Sequence, residues 1–327
     1  MKKTALITGV LGQDGSYLAK NLLEKDYKVY GLIRRKSSQT FYNTDYLGVT
    51  DKIDFLTGDM TDESSLIKII KQTKPAEVYN LAAQSFVGDS WDLAKHTTDV
   101  NSLGVLYLLE SIKNNSPNTK IYQASTSEMF GNSNFGGIQN EETPFTPRSP
   151  YGISKLYSYW LTNNYKESYG MYCSNGILFN HESPIRGKDF VTRKISDGVA
   201  RIHLGMSDFI SLGNLDAYRD WGFAGDFVEA MYLILQQENP DNYIISTGES
   251  HSIREFLDIS FNRIGIDNWE KYIKINPQFN RPAEVHKLKG DSTKSKNKLG
   301  WEPKTTFNEL VNLMVDEDIK RLKNEKK

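Results

Sequence analysis

The chain is poor in cysteine, in net charge and in long apolar runs. Cys173 is the only cysteine among 327 residues. An intramolecular disulfide is therefore excluded, and no Cys/His spacing suggests zinc or another metal. The five histidines, His96, His181, His203, His251 and His286, are scattered. Lysine and arginine total 40 against 41 aspartate and glutamate, a net charge of -1. That balance gives no electrostatic footprint for nucleic acid or an anionic membrane, so any anionic ligand must be held by local groups. The start, MKKTALITGV, places two lysines before an apolar run, but glycines and Asp14 interrupt the run at once. No apolar segment is long enough to span a bilayer, and a soluble, cytoplasmic protein is expected.

What is present is a regular alternation. Thr4–Val10, Lys28–Ile33, Ile53–Gly58, Glu77–Ala82, Lys120–Ala124 and Met171–Leu178 read as strands. Between them Ser16–Lys25, Glu63–Gln72, Val100–Lys113 and Ser154–Ser168 read as helices. Strands alternating with helices imply right-handed crossovers and a doubly wound parallel sheet covered on both faces, an α/β fold. After His181 the rhythm loosens. Helices are expected over Thr192–Leu204, Gly225–Gln237 and Ser252–Ile264, a strand over Tyr243–Thr247, and a terminal helix from about Thr306. This part reads as a smaller mixed α/β domain, with the chain crossing back to the sheet at least once. The charges after Asp316 read as a solvated helix face with a frayed end.

Gly9, Gly12 and Gly15 in TGVLGQDGSYL lie between the first strand and its helix. Glycines there permit a tight turn and let a pyrophosphate approach the helix N-terminus, where free N–H groups favour anions. An ordinary βα turn is the plain alternative, and the strand–turn–helix context favours the dinucleotide reading. The second strand ends in Arg34 and Arg35, where an NAD site would offer a carboxylate to the ribose. A guanidinium pair suits a 2′-phosphate and hence NADP, against two solvated loop arginines. Asp59, and Ala82 with Ala83, follow the third and fourth strands at the carboxyl edge, where such sheets bind ligands.

The stretch YQASTSEMFG ends a buried strand with Thr126, Ser127 and Glu128. Tyr151 and Lys155 form Y-x-x-x-K on one face of the next helix, where an ammonium can lower the phenol's pKa toward working pH. The pattern is cheap in a chain with 18 tyrosines. Its place after the strand that delivers Thr126 sets both sites at one sheet edge.

With these segments in view, the sequence resembles the extended short-chain dehydrogenase/reductases, and within them the GDP-mannose 4,6-dehydratases. The resemblance covers nearly the whole chain and rests on TGVLGQDGSYL, YNLAAQSFV, YQASTSE, RSPYGISKLYSYW, YKESYGMYCSNGILFNHESP, FVTRKI, RDWGFAGDFV and RPAEV. It implies a Rossmann-like NADP-binding domain over residues 1–180, revisited at about 220–247. Residues 181–219 and 248–327 would then form a nucleotide-sugar domain. It also implies internal hydride transfer through bound NADP: oxidation at C4, loss of water across C5–C6, reduction at C6. Tyr151 as phenolate would take the 4-hydroxyl proton beside Lys155, Thr126 would bond the C4 oxygen, and Glu128 would remove the C5 proton. Many dehydratases of other nucleotide sugars have T-D-E, with the aspartate protonating the C6 hydroxyl. Ser127 cannot do so, and Glu128 would shuttle that proton too.

By the same resemblance the cofactor side includes Gly9, Gly12, Gln13, Asp14, Gly15, Arg34, Arg35, Asp59, Met60 and Leu81. It continues with Ala82, Ala83, Gln84, Ser85, His96, Lys155, His181 and Arg186. The GDP-sugar side includes Ser85, Ser127, Asn180, Val191, Lys194, Gly213, Arg219, Arg281 and Glu284, with a surface ion pair the plain alternative for each arginine. Three positions depart from the family. Ile185 stands where a second arginine is usual, His96 replaces a tyrosine, and KSSQTFYNTDYLGV after Arg35 only partly follows the arginine-containing pattern of the tetramers. A homodimer or homotetramer is expected. GDP-D-glycero-D-manno-heptose is the alternative substrate. A GDP-sugar reductase or epimerase, and a nucleotide-binding protein without catalysis, remain as other readings.

Overall fold

The computed structural model describes residues 2–133, 137–279 and 282–325. Seven strands form one parallel sheet: β1 (Thr4–Thr8), β2 (Lys28–Ile33), β3 (Ile53–Thr57), β4 (Glu77–Asn80), β5 (Lys120–Thr126), β6 (Cys173–Leu178) and β7 (Tyr243–Ile245). Their order is β7-β6-β5-β4-β1-β2-β3, so the direction of winding reverses between β1 and β4. In open sheets of this kind the crevice beyond the carboxyl ends at that reversal receives the ligand. The strands β1, β4 and β6 are almost wholly buried, as strands covered on both faces are.

Amphipathic helices supply the two covers. On one face Leu18, Ala19 and Leu22 of the helix Gln13–Glu24 pack with Phe227, Val228, Met231 and Ile234 of the helix Ala224–Gln236. On the other, Leu66, Ile69 and Ile70 meet Val105, Leu108, Leu109 and Ile112 of the helix Gly104–Asn115. The expected alternation of strands and helices is therefore present.

The second lobe has its own core, from Ile195 and Val199, Phe256, Leu257 and Phe261, and Leu310, Val311, Met314 and Val315. These lie on the helices Val191–His203, Ile253–Asn262 and Phe307–Glu325. Its strands are two- or three-residue pairs: Ile210–Leu212 with Ile273–Ile275, Tyr218–Arg219 with His251–Ser252, and Trp221–Phe223 with Asn180–Glu182.

The charges after Asp316 form a solvated face only in part: Lys320, Lys323 and Glu325 are exposed, whereas Asp318 is turned inward. The helix continues to Glu325, Leu322 is fully buried, and Asp318 is 1% exposed. Asp318 accepts from Arg193 Nη2 and Ser196 Oγ, both at 2.7 Å, and from Arg321 Nη2 at 3.1 Å. Composition cannot distinguish charges that face water from charges that pair with a neighbouring helix. Among the described residues no helix is long and apolar enough to cross a membrane.

Candidate active site

The carboxyl ends of β1 and β4 build the first part of the site. Gly9 has φ +70°, and a Cβ there would lie 2.8 Å from the Ala82 backbone nitrogen. A Cβ on Gly15 would lie 2.3 Å from the Gly9 oxygen. Only glycine lets the loop fold this tightly onto the next strand and leave the N-terminus of the helix Gln13–Glu24 open. The cradle thus suits the pyrophosphate of a dinucleotide. Arg34 and Arg35 are exposed just past β2, and Asp59 and Met60 follow β3 on the same edge.

Beside it opens a cleft of about 550 Å³ whose lining includes Thr126, Ser127, Glu128, Tyr151 and Lys155. Thr126 ends β5, and its Oγ1 accepts from the Glu128 N–H at 3.2 Å, capping a single 3-10 turn over Ser127–Met129. A strand ends in T-S-E here because the threonine stops it and turns the glutamate into the cleft. The helix Pro150–Tyr169 starts next to this turn. Ser149 caps it by accepting from the Gly152 N–H at 3.0 Å, and Pro150 presets its first turn.

Tyr151 and Lys155 are both buried, and here the structure departs from the expected lowered phenol. Burial pushes the Tyr151 hydroxyl up to about 12, with the Glu128 carboxylate adding to the rise, while a hydrogen bond with Thr126 opposes it. Burial also lowers Lys155 to about 8, against the pull of Asp14. The Lys155 ammonium is not directed at the phenol. It donates to the Ala124 carbonyl at 3.0 Å, with Nζ 5.9 Å from the Tyr151 ring centre. Spacing on a helix face brings two residues near each other but does not settle which group the longer one bonds. The phenol is therefore protonated in the protein alone, and its activation needs additional positive charge.

A buried ion pair crosses the cleft. His181 Nε2 lies 2.8 Å from Asp14 Oδ2, and Nδ1 lies 2.7 Å from the Phe179 carbonyl. Both neighbours can only accept, so both ring nitrogens carry protons and the ring is an imidazolium. Burial acts against the cation, but Asp14 outweighs it and raises the histidine. In turn Asp14 is held down at about 2 although burial opposes this. Gln13 Nε2 ties the same region to the His181 carbonyl at 3.0 Å. Arg186 lies over the Phe190 ring at 3.6 Å, with Nε 3.1 Å from Glu182.

On the far side the lining includes Asn180, Val191, Lys194, Gly213, Arg219 and Glu284. Arg219 Nη2 bonds Glu284 Oε1 at 3.2 Å, and Lys194 Nζ sits 3.7 Å above the Phe279 ring. Leu81, Ala83 and Ser85 also face the cleft, whereas the Gln84 side chain turns aside, its Nε2 donating to the Phe86 carbonyl at 2.9 Å. His96 is exposed on the short helix Ala94–Thr98, outside the lining of the cleft. Arg281 lies outside the described residues.

Two residues escaped the sequence reading. Asn101 is 1% exposed within a turn of π-helix, Asp99–Leu103. Its amide donates to the Gln84 carbonyl at 3.0 Å and to Ser154 Oγ at 3.2 Å, joining the loop after β4 to the helix Pro150–Tyr169. One asparagine inside DVNSLGVLYLL was the available signal. Asp220 is fully buried and accepts from Thr247 N and Oγ1, Gly248 N and Gly290 N at 2.7–3.2 Å. It fastens three distant segments beside Arg219, and burial still lifts it to about 6.

The parallel sheet, the glycine cradle and the Tyr151–Lys155 helix define an extended short-chain dehydrogenase/reductase. The family model for GDP-mannose 4,6 dehydratase matches residues 6–314, and the chain belongs to that family. GDP-mannose 4,6 dehydratase 1 of Arabidopsis thaliana is 50% identical over 99% of this chain and 92% of its own length. The human GDP-mannose 4,6 dehydratase is 48% identical over 98% and 93%, and that of Vibrio cholerae 45% over 98% and 95%. Among solved structures, Thermus thermophilus UDP-glucose 4-epimerase in complex with NAD superposes with a TM-score of 0.85 at 26% identity, covering 96% of this chain and 98% of its own. The dTDP-glucose 4,6-dehydratase of Bacillus anthracis, with a TM-score of 0.84 at 24% identity over 99% and 98%, shares the fold.

Proposed function

We propose that the chain is a GDP-mannose 4,6-dehydratase that converts its substrate to the GDP-4-keto-6-deoxy sugar with NADP retained through each turnover. The observation that carries this reading is Glu128 beside Thr126 and Tyr151 in one cleft: a simple reductase or 4-epimerase has no use for a base at C5. Full-length relatives of the same name support it.

Bound NADP supplies the acceptor, and later the donor, of the hydride that moves from sugar C4 to C6. Tyr151 takes the 4-hydroxyl proton; its phenolate is favoured by the Arg186 charge, and would be favoured further by Lys155 once turned from Ala124 and by an oxidised nicotinamide when bound. Thr126 hydrogen-bonds the C4 oxygen as its charge changes. The 4-ketone acidifies C5–H, and Glu128 removes that proton and passes it to the departing C6 hydroxyl; reprotonated from solvent, it returns a proton to C5 as hydride reaches C6. Arg219, Glu284, Lys194 and Asn180 hold the GDP-sugar, with Arg34 and Arg35 selecting the 2′-phosphate of NADP over NAD.

The reading places the enzyme in the cytoplasm, in keeping with a single buried, free cysteine. It also gives a homodimer through the helix Pro150–Tyr169, whose Ile153, Tyr157 and Trp160 form an exposed apolar stripe at helical spacing. Incubation with GDP-mannose and, separately, GDP-manno-heptose, followed by mass spectrometry, tests the assignment. Loss of one water from GDP-mannose is expected. Turnover of the heptose alone would move the substrate, and no turnover of either would leave a nucleotide-binding protein.

A further inference from the structure

Thr8, Asn80 and Gln123 sit side by side on β1, β4 and β5, in direct register. All three are nearly or fully buried, and none lines the cleft. Their hydrogen bonds run in one direction. The backbone N–H groups of Leu81 and Ala82 both donate to Thr8 Oγ1, at 3.1 and 3.0 Å. The hydroxyl proton must therefore point elsewhere, and it goes to Asn80 Oδ1 at 2.6 Å. That fixes the Asn80 amide, whose Nδ2 donates to Gln123 Oε1 at 2.7 Å. Gln123 is fixed in turn, and its Nε2 donates to the Ala124 carbonyl at 3.1 Å. The same carbonyl accepts from Lys155 Nζ at 3.0 Å. No amide in this chain can flip without setting donor against donor.

We propose that Gln123 is a positioning residue for Lys155: its amide, oriented through Asn80 and Thr8, shares the Ala124 carbonyl and so limits how firmly that carbonyl holds the ammonium. The assignment of Lys155 to catalysis rests on the function proposed above, whereas the hydrogen-bonded chain does not. A buried chain of donors polarises its last acceptor, and a competing N–H weakens what remains for the lysine. The lysine stays free to turn from Ala124 toward the cofactor and Tyr151, while the Leu81–Ala82 loop is held to the same relay. Besides Tyr151, the charged or titratable groups facing this part of the cleft are Asp14, Glu128, His181 and Arg186. None of them is altered in the test.

The test is competitive labelling of amines with trace acetic anhydride across neutral to alkaline pH, read on the peptide containing Lys155 by mass spectrometry. It uses the full chain with its cofactor and needs no turnover. Gln123→Met removes the competing donor and should raise the proton affinity of Lys155 roughly two- to tenfold. With GDP-mannose, the alkaline limb of kcat should move up by the same factor while KM is unchanged. Thr8→Val, remote from Lys155, frees Asn80 to flip and should shift Lys155 the same way by less. An unchanged Lys155 titration in folded Gln123→Met overturns the proposal. If that variant does not fold, Thr8→Val decides in its place, a rise supporting the relay and no shift overturning it. Absence of turnover by the wild type would overturn the proposed function but not the labelling result.

Discussion

The backbone turns of the sheet half and the side chains of the second lobe are held in place by different means. In the sheet half, Gly9, Thr126 and the first turn of the Pro150–Tyr169 helix take their places from local rules: a strand end, a cap, a tight glycine loop. In the second lobe the strands are two or three residues long, and position comes from contacts between distant segments. Asp220 gathers Thr247, Gly248 and Gly290, Arg219 meets Glu284, and Arg193 meets Asp318. The difference suggests that substitutions in the first half act on chemistry, and those in the second act on assembly and substrate affinity.

The largest effect that would sharpen this contrast is chemical. Tyr151→Phe should lower kcat on the order of 10²–10⁴-fold, the usual contribution of a positioned proton-transfer group. GDP binding by calorimetry should be unchanged, and a wild-type rate would remove Tyr151 from the mechanism. Next is a break in the second lobe. Asp318→Ala leaves the buried Arg193 without its carboxylate and should cost about 3–5 kcal/mol in urea unfolding. A variant as stable as the wild type would mean that this ion network contributes nothing to holding the lobe.

These two halves were also unequally legible in the sequence. The alternation of strands and helices, the glycine cradle and the Tyr151–Lys155 helix could be read because each depends on residues within a few positions of one another. The pairing of His181 with Asp14, the clasp of Asp220 and the inward-facing charges of the last helix could not, because each joins residues far apart in the chain. Asn101 lay between these cases, a polar residue on an otherwise apolar helical face. The lowered phenol expected of Tyr151 failed for another reason. Helical spacing ignores desolvation, which here outweighs the neighbouring charges.

Smaller effects probe the cofactor side. Replacing Arg34 and Arg35 together with alanine should weaken NADP binding roughly 10- to 100-fold more than NAD binding, since charge-assisted bonds to the 2′-phosphate are lost. Equal losses for both would reduce the arginines to loop supports. The smallest effect concerns Asp14 and His181. Because His181 is raised by Asp14, the pair's stabilisation is complete below the ordinary histidine value of 6.5 and is lost as pH rises through the folded value. On the acid side Asp14 keeps its share until pH falls from 3.8 through about 2. Asp14→Asn should therefore flatten the decline in urea midpoint above pH 6.5. An identical decline in both proteins would mean that the pair is not charged in the folded state.

The central claim is that Glu128 is the base at C5, and Glu128→Gln tests it most directly. Glutamine keeps the shape and hydrogen-bonding capacity of the side chain but cannot take the proton. On mixing with GDP-mannose, oxidation at C4 should proceed through Tyr151, and absorbance at the reduced-nicotinamide band should rise and persist. Little dehydrated product should form, and no solvent deuterium should enter at C5. Wild-type production of the 4-keto-6-deoxy sugar by this variant would contradict the account and make Glu128 a turn residue.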